Sequence, residues 1–267
     1  MPVRYVIGPE GSVDASDRGL AYGDGLFETM AVSKGAIRRL DYHLDRLRAG
    51  CARLALPLPD TAELASRVAT VAAGIGHGYV KLILTRGAGA RGYTPPPDPV
   101  PTVIISAGES PAAPSELRLA TLRLRLGENA KLAGIKHLCR LEQVLGRVEL
   151  ESLDADEGLM LSTSGAVIGG TSRNLFAVCG RRLVTPELSR AGIEGVMRRS
   201  VLEASARLGI EAEAARLAPT DLVAADELFM TNALVGIQSV RRLDQTAFAS
   251  RAMAARLRAA LGLDDDA

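Results

Sequence analysis

The stretch LAGIKHLCRLEQ, residues 132 to 143, carries one of the few lysines of this chain. There are 28 arginines but only four lysines, at positions 34, 81, 131 and 136. Apolar residues at helical spacing between Leu138 and Val148 predict a helix, with Lys136 in its first turn. Unlike arginine, a lysine that is shielded from water can lose its proton and attack a carbonyl. Lys136 is therefore a candidate nucleophile, although a single lysine is more often a solvated surface group.

The composition narrows the class of protein. Of the 267 residues 47% are hydrophobic, which is enough for a large core. A net charge of +1 with both signs interspersed argues against a nucleic-acid or membrane-surface binder. Cys51, Cys139 and Cys179 form no paired motif and no metal-ligand spacing, so we expect a cytoplasmic protein without a metal. The start MPVRYVIG lacks a signal-peptide core, and no apolar run predicts membrane insertion.

The order of strand and helix patterns predicts an α/β fold with substantial antiparallel character. The first hundred residues read as strand, strand, helix, helix, strand, strand, with Asp41 as the expected N-cap of the first helix and the second helix beginning near Asp60. The stretch Gly108 to Ser115 predicts a linker, 108–115, between a smaller N-terminal domain, 1–107, and a larger C-terminal domain, 116–267. The chain ends in an acidic tail.

A glycine-rich stretch follows the last strands of the N-terminal half. Gly87, Gly89 and Gly92 spell a literal GxGxxG, but the prolines of YTPPPDP exclude the helix that a dinucleotide-binding fingerprint needs at this point. The loop carries Arg91 and is either a mobile loop or one that grips a substrate. His43, His77 and His137 suggest no catalytic triad and no metal site, because a capping or solvated histidine is the usual case at such positions.

Two other short segments could bind an anion. In RAGIEGV, glycines allow a tight entry into a helix, so that N–H groups near Ile193 and Glu194 face outward at the positive end of the helix dipole. In TNAL, Asn232 and Ala233 follow directly after a strand. Each signal is weak by itself, but together with a lone lysine and a spare arginine they suit a carbonyl cofactor that bears a phosphate, with pyridoxal phosphate as the obvious candidate.

Several motifs occur in a fixed order between Asp17 and about Val240: DRGLAYGDGLFETM, RLDYHLDRL, RGAGARGY, LAGIKHLCRLEQVLGR, NLFAV, GIEGVMR and DELFMTNAL. In this set the chain resembles the fold-type IV pyridoxal-phosphate enzymes. The resemblance implies two mixed α/β domains with pyridoxal 5'-phosphate (PLP) between them, and a homodimer. It further implies a PLP-dependent carbon-oxygen lyase that converts 4-amino-4-deoxychorismate to 4-aminobenzoate and pyruvate in folate biosynthesis. The alternatives are a D-amino-acid or branched-chain aminotransferase of the same fold, and a catalytically silent PLP-binding relative.

The resemblance also implies roles for single residues. Lys136 would bind the cofactor covalently and move the proton during catalysis, and the guanidinium of Arg46 would bind the cofactor phosphate. Backbone amides are expected to bind the same phosphate at Ile193, Glu194, Asn232 and Ala233. Contacts with the substrate are expected from Tyr22, Glu28, Thr29 and Arg91.

One position departs from the family pattern. Many members read Val-x-Glu before the NLF strand, and that Glu commonly pairs with the pyridine nitrogen of the cofactor, whereas this chain has Val167-Ile168-Gly169. Gly169 has no side chain for this role, so a water, Thr171 or Ser172 would replace it, or the cofactor would withdraw electrons more weakly. A lyase whose product is aromatic should tolerate the loss better than a transaminase.

Overall fold

The structure, a computed structural model, describes residues 1–8, 11–110 and 112–263. By their internal contacts the residues fall into two compact units: the first contains Met1–Pro111 and Ile135–Cys139, and the second contains Ala112–Gly134 and Arg140–Ala267. The backbone thus passes from one unit to the other three times. The first of these crossings falls within the expected linker, 108–115. Pro111, one residue of that linker, lies outside the described residues. The predicted domain limits stay a prediction. The predicted acidic tail from residue 264 onward lies outside the described residues.

The first unit is built on one five-stranded sheet. Its elements in chain order are β1 (Arg4–Ile7), α1 (Arg18–Tyr22), β2 (Gly25–Ser33), β3 (Ala36–Ile37), α2 (Leu40–Leu54), α3 (Thr61–Ala73), β4 (His77–Thr85) and β5 (Thr102–Gly108). The strand order is β1-β5-β4-β2-β3, and β1 and β5 form its parallel pair. Along β2 and β4 the buried and half-buried positions largely alternate, as expected when the two faces of a sheet have different neighbours.

The starts of the two longer helices differ in how well the sequence predicted them. The Asp60 carboxylate accepts hydrogen bonds from two N–H groups of the first turn of α3, which confirms a helix start at this aspartate. Helix α2 begins at Leu40, with Arg39 in the left-handed conformation as its N-cap. The prediction that Asp41 is the N-cap is therefore wrong; Asp41 lies inside the first turn, where a negative charge suits the helix dipole.

Lys136 lies in an extended segment and not in a helix. The N–H of Phe27 donates to the carbonyl of Lys136 at 3.0 Å, and the N–H of Leu138 donates to the carbonyl of Gly25 at 3.0 Å. Residues 135–139 therefore run antiparallel to the start of β2. The predicted place of Lys136 in a first helical turn is wrong, because its backbone hydrogen bonds go to a strand and the next helix begins only at Leu141.

The second unit is built on a larger mixed sheet. Its elements in chain order are β6 (Glu116–Leu126), α4 (Leu141–Leu150), β7 (Glu157–Ser162), β8 (Val167–Gly170), β9 (Asn174–Cys179), β10 (Arg182–Pro186), α5 (Val196–Arg207), β11 (Ala212–Ala215), α6 (Pro219–Val223), β12 (Glu227–Asn232), β13 (Gly236–Leu243), β14 (Thr246–Ala247) and α7 (Ala252–Ala260). The strand order is β11-β10-β9-β12-β13-β6-β7-β8, and β14 pairs with β13. Together the two sheets confirm the predicted α/β class with antiparallel character.

Apolar side chains bury both sides of the central strands of this sheet. Phe176 on β9 and Phe229 on β12 stack with ring centroids 5.0 Å apart, in a cluster that includes residues of α5 and α7. A second cluster contains residues of β6, β7, β12 and β13. The apolar residues of the strands that carry the motifs NLFAV and DELFMT are therefore buried, which fixes the positions of the strand ends.

One face of helix α4 carries a stripe of apolar side chains that are exposed to solvent. The exposed fractions are 69% for Leu141, 55% for Val144, 48% for Leu145 and 57% for Val148. These positions repeat at the spacing of one helix face, whereas Leu150 is buried. An exposed apolar helix face of this kind indicates an interaction surface. Within the described part of the chain, none of the helices has the length and apolar character needed to cross a membrane.

Candidate active site

Lys136 directs its amine onto an aromatic ring of the same unit. Its Nζ lies 4.3 Å from the centroid of the Phe27 ring, while the Nζ of Lys81 lies 5.5 Å from the same centroid. The backbone of Lys136 is fixed by its pairing with β2, so the side chain starts from a defined position. Phe27 and Thr29 share one face of β2 because successive strand residues alternate, and Glu28 points to the other face. The ring beside the amine therefore belongs to the face that carries Thr29.

Glu28 forms a buried charged cluster with two residues of α2. Its carboxylate accepts two hydrogen bonds from the guanidinium of Arg46, at 2.8 Å from Nε and 2.5 Å from Nη2. The Nδ1 of His43 lies 2.6 Å from the second carboxylate oxygen. Glu28 and His43 are 2% and 1% exposed. Because His43 and Arg46 are three residues apart, they lie on the same side of the helix and reach the same carboxylate.

The charges of this cluster are strongly coupled. Burial by itself would raise the pKa of Glu28, but the charge and hydrogen bonds of Arg46 outweigh it, with help from His43, and lower the pKa to about 2. Burial lowers the pKa of His43, so the imidazole is neutral at physiological pH and donates its Nδ1 proton to the carboxylate. Glu28 is thus an ionised partner for Arg46, and its expected contact with the substrate stays a prediction.

Tyr22 and Arg91 belong to one local structure in the first unit. The hydroxyl oxygen of Tyr22 accepts a hydrogen bond from the N–H of Gly92 at 3.0 Å. The ring of Tyr22 also lies against that of Tyr93, with centroids 5.4 Å apart. The side chain of Arg91 is exposed. The two predicted substrate contacts are therefore brought together on the glycine-rich loop and the short helix α1.

In the second unit, Ile193 and Glu194 lie in the turn before α5. Gly192 has a φ of +89°, which favours glycine, and the helix begins at Val196 after Gly195. The side-chain amide of Asn174 donates to the carbonyl of Ile193 at 2.8 Å. The N–H of Glu194 already donates to the carbonyl of Gly134 at 2.9 Å. A phosphate at this turn would have to share or replace that last bond.

Asn232 and Ala233 lie in the tight turn between β12 and β13. The Asn232 side-chain oxygen accepts hydrogen bonds from the N–H groups of Leu234 and Val235, at 3.1 and 2.8 Å, and so shapes the turn. Just before it, Thr231 is 1% exposed and its hydroxyl has no hydrogen-bond partner among the described residues. A buried hydroxyl without a partner is costly, which is consistent with a polar ligand at this strand end.

Glu157 lies close to Gly169, the position at which this chain differs from the family pattern. Its buried carboxylate accepts hydrogen bonds from the hydroxyl of Thr171 at 2.5 Å, from the hydroxyl of Ser172 at 3.1 Å and from Arg173 at 2.6 Å. Both residues that could replace the family Glu thus already donate their hydroxyl protons to Glu157. Each hydroxyl oxygen can still accept a hydrogen bond. That a water, Thr171 or Ser172 faces the pyridine nitrogen stays a prediction.

A comparison with family models identifies the chain. The model described as "Amino-transferase class IV" matches residues 25–243. The chain belongs to the amino-transferase class IV family. The matched range includes Lys136, Arg46 and both turns that are candidates for anion binding, and the resemblance to the family seen in the motifs is confirmed.

Individual members of the family share most of the length of this chain. The structure of 4-amino-4-deoxychorismate lyase from Pseudomonas aeruginosa has 43% sequence identity and a TM-score of 0.92, and covers 97% of each chain. Aminodeoxychorismate lyase from Vibrio harveyi is 34% identical over 87% of this chain and 88% of its own. D-alanine aminotransferase from Bacillus licheniformis is 25% identical over 88% of this chain and 84% of its own.

Sequence reasoning missed some of the polar residues that shape this family member's site. His43 was expected to be a capping or solvated histidine, but it is buried against Glu28. The available signal was its spacing of three residues from Arg46 in HLDR, which places both on one helix side. Glu157 gave no such signal, because its partners follow it only after the rest of β7, a turn and β8. Arg18 and Asp24 belong to the motif DRGLAYGDGLFETM, but its pattern predicted no structural or functional role for either residue.

Proposed function

We propose that the protein is a PLP-dependent lyase that converts 4-amino-4-deoxychorismate to 4-aminobenzoate and pyruvate in folate biosynthesis. The observation that carries the proposal is the similarity to the Pseudomonas aeruginosa lyase, at 43% identity over 97% of the chain with a TM-score of 0.92. The Vibrio harveyi lyase, at 34% identity, supports the same activity. The order of motifs around Lys136 agrees with it.

The candidate residues suit particular groups of PLP. Lys136 would supply an amine for the cofactor aldehyde, and Arg46 would supply a guanidinium for its phosphate. The turns at Ile193 and Glu194 and at Asn232 and Ala233 would supply backbone N–H groups. The hydroxyl of Thr231, which has no partner among the described residues, best supports a polar ligand beside the second turn. When bound, the cofactor ring would take up the electron pair that is released at the substrate carbon.

Lys136 would do the proton chemistry of the reaction. With PLP bound, the amine of Lys136 would hold the cofactor aldehyde until the substrate amine takes its place. The freed Lys136 amine would remove the proton from the ring carbon that bears nitrogen. The C–O bond between the ring and the enolpyruvyl group would then break, and return of that proton to the departing group would give pyruvate and leave the aromatic amine. The Phe27 ring, 4.3 Å from Nζ, keeps water from one side of the amine and favours its position through a cation–π contact.

The substrate has two carboxylates, which require cations or hydrogen-bond donors. Arg91 is our choice for one carboxylate, because it is exposed on a loop that is anchored to Tyr22. The hydroxyl groups of Tyr22 and Thr29 would add neutral hydrogen bonds. Thr29 is supported by its place on the same face of β2 as Phe27.

A paired assay separates the lyase from an aminotransferase. The aminotransferase alternative is supported by the likeness to the Bacillus licheniformis enzyme. Purified protein loaded with PLP should release pyruvate from 4-amino-4-deoxychorismate, and this release is measured by the reduction of pyruvate to lactate in a coupled assay. In separate reactions with 2-oxoglutarate as amino acceptor, the protein should form the keto acid of D-alanine or of leucine far more slowly. The reverse ratio would assign an aminotransferase, and binding of PLP without either product would assign a catalytically silent relative.

The backbone conformation and the close packing at Gly169 both favour glycine. Gly169 has a φ of +151°, and an added Cβ would lie 2.8 Å from the carbonyl oxygen of Arg173. We expect Gly169→Ala to lower the free energy of unfolding by about 1–3 kcal/mol, measured by urea unfolding. Gly165→Ala is the control, because Gly165 also has a positive φ but no atom near its Cβ position. Equal losses in both variants would contradict a steric role for Gly169.

We also propose a homodimer that covers the exposed face of α4. The support is a stripe of apolar residues with 48–69% exposure at Leu141, Val144, Leu145 and Val148. We expect Leu145→Arg to convert dimers to monomers in analytical ultracentrifugation at micromolar concentration, because a charge at the centre of an apolar interface is not compensated. Val223→Arg, at an apolar residue of α6 with 53% exposure, is the matched control and should leave the dimer intact. A dimer unchanged by Leu145→Arg would place the interface elsewhere.

We further propose a cytoplasmic location. It is supported by Cys51, Cys139 and Cys179, which are free thiols. Unpaired thiols are typical of proteins in reducing compartments.

A further inference from the structure

Arg18 connects the short helix α1 with the glycine-rich loop. It is 4% exposed, and its guanidinium donates to the carbonyl of Gly92 at 2.9 Å, to that of Tyr93 at 2.9 Å and to that of Thr94 at 3.4 Å. Backbone carbonyls in a loop would otherwise be solvated. One buried side chain therefore binds three successive peptide groups of an exposed loop.

The rest of the loop backbone is held by the same short part of the chain. The carbonyl of Gly87 accepts from the N–H of Arg18 at 2.9 Å, and the N–H of Gly89 donates to the carbonyl of Ser16 at 3.2 Å. An added Cβ at Gly89 would lie 3.0 Å from Cδ of Arg18, so the loop packs directly on the arginine side chain. At Gly87, an added Cβ would clash with the carbonyl of Val100. These glycines serve close packing of the loop and not its mobility.

Asp24 fixes Arg18 from the other side. Its carboxylate accepts from Nε of Arg18 at 2.9 Å and from two nitrogens of Arg86, at 2.8 and 3.0 Å. Arg86 in turn donates to the carbonyls of Leu54 and Ala55, at the end of α2. Burial of Asp24 would raise its pKa, but the hydrogen bonds of the two arginines hold it below its usual value. The carboxylate is therefore ionised at neutral pH and sets the rotamer of Arg18.

We infer that Arg18 is a positioning residue that holds the glycine-rich loop in one conformation and thereby presents Arg91 and Tyr93 for binding of an anionic substrate. The hydrogen bonds that hold the loop all go to its backbone groups, so the side chain of Arg91 projects from it; the ring of Tyr93 lies against that of Tyr22 and is still 85% exposed. A pre-ordered loop lowers the entropy that a ligand must overcome on binding. Of the two possibilities that the sequence left open, the anchors favour a fixed gripping loop over a mobile one.

Limited proteolysis tests the anchoring without reference to activity. Trypsin cleavage of the Arg91–Gly92 bond, followed by mass spectrometry in the holoenzyme, should be at least about tenfold faster in Arg18→Gln than in the wild type, because three hydrogen bonds that oppose loop opening are lost. Arg18→Lys should give an intermediate rate, since it keeps the charge beside Asp24 but cannot reach three carbonyls, and it serves if Arg18→Gln folds poorly. Arg48→Gln is the control, because Arg48 is exposed and paired with Asp45. Equal cleavage rates in Arg18→Gln and the wild type would overturn the inference.

A kinetic cycle tests the consequence for the substrate, and this arm rests on the proposed function. Arg18→Gln should raise KM for 4-amino-4-deoxychorismate by about tenfold and change kcat by less than about threefold. In an Arg91→Ala background the same substitution should raise KM no further, because Arg18 acts through Arg91. An equal rise in both backgrounds would overturn the positioning role. Should the wild type lack lyase activity, the proposed function fails, while the proteolysis still decides whether Arg18 holds the loop.

Discussion

Replacing Lys136 by alanine should remove covalent cofactor attachment and lower the rate of pyruvate release by at least about a thousandfold. The expected loss is large because, in the proposed function, the amine of Lys136 both holds the cofactor and moves the proton. The measurement combines the lyase assay with borohydride reduction, which should fix PLP to the wild-type chain and label the peptide that contains Lys136. The alanine variant should retain no label after denaturation.

Lys81→Ala is the matched control for this experiment. The amine of Lys81 lies 5.5 Å from the centroid of the same Phe27 ring, so both lysines have a similar apolar neighbour. They differ in backbone setting: Lys81 is in the middle of β4, whereas Lys136 belongs to the extended segment beside β2. We expect Lys81→Ala to keep the label at Lys136. A label on Lys81 in the wild type would reject Lys136 as the attachment site.

In the protein without PLP, Glu28→Gln should destabilise the fold by about 3–5 kcal/mol, because it removes one charge of a buried pair and leaves Arg46 without a carboxylate partner. The substitution keeps the shape of the side chain, so the effect is electrostatic and not a cavity effect. Urea unfolding at pH 7 measures it. Glu63→Gln is the control, since Glu63 pairs with Arg67 on the exposed side of α3, where both side chains are more than a third exposed, and should cost less than about 1 kcal/mol. Equal, small costs would mean that the Glu28 cluster contributes little to stability.

The stability of the wild type and that of Glu28→Gln should depend differently on pH. The pKa of Glu28 in the folded protein is about 2, below its ordinary value of 4.5. A depressed pKa stabilises the fold fully above the ordinary value, and the contribution is lost as the pH falls from 4.5 toward 2. The wild type should therefore lose stability more steeply than Glu28→Gln over that window, and the difference between them should shrink. A constant difference would show that the carboxylate does not titrate as described.

The local patterns of the sequence were sufficient for most of the fold. Asp60 predicted the start of α3, because the start of a helix depends on neighbouring residues. The place of Lys136 could not be predicted in this way. Its pattern of neighbours is that of a helix, but its hydrogen-bond partners belong to β2, more than a hundred residues away in sequence. Pairing between distant segments overrides local propensity.

The site shows the same limit at the level of side chains. The resemblance supplied Lys136 and Arg46 as candidates, but neither motif indicates that Glu28 neutralises Arg46 from a neighbouring strand. Likewise, the sequence left open whether RGAGARGY forms a mobile loop or one that grips a substrate, and only the three-dimensional contacts of Arg18 reveal its anchors. Groups that hold a functional residue in place are often remote in sequence. The spacing of residues in the sequence therefore indicates a functional residue more readily than it indicates the groups that hold this residue in place.

The assignment of residues 135–139 to the first unit has a consequence for biosynthesis. The start of β2 finds the partner for its free edge only in a segment that is translated after Gly134. A nascent chain that has left the ribosome only as far as residue 111 would still lack this segment, so the N-terminal unit cannot complete its sheet edge during synthesis of its own residues. For the same reason, cutting the gene after residue 111 would separate Lys136 from the strand that orients it.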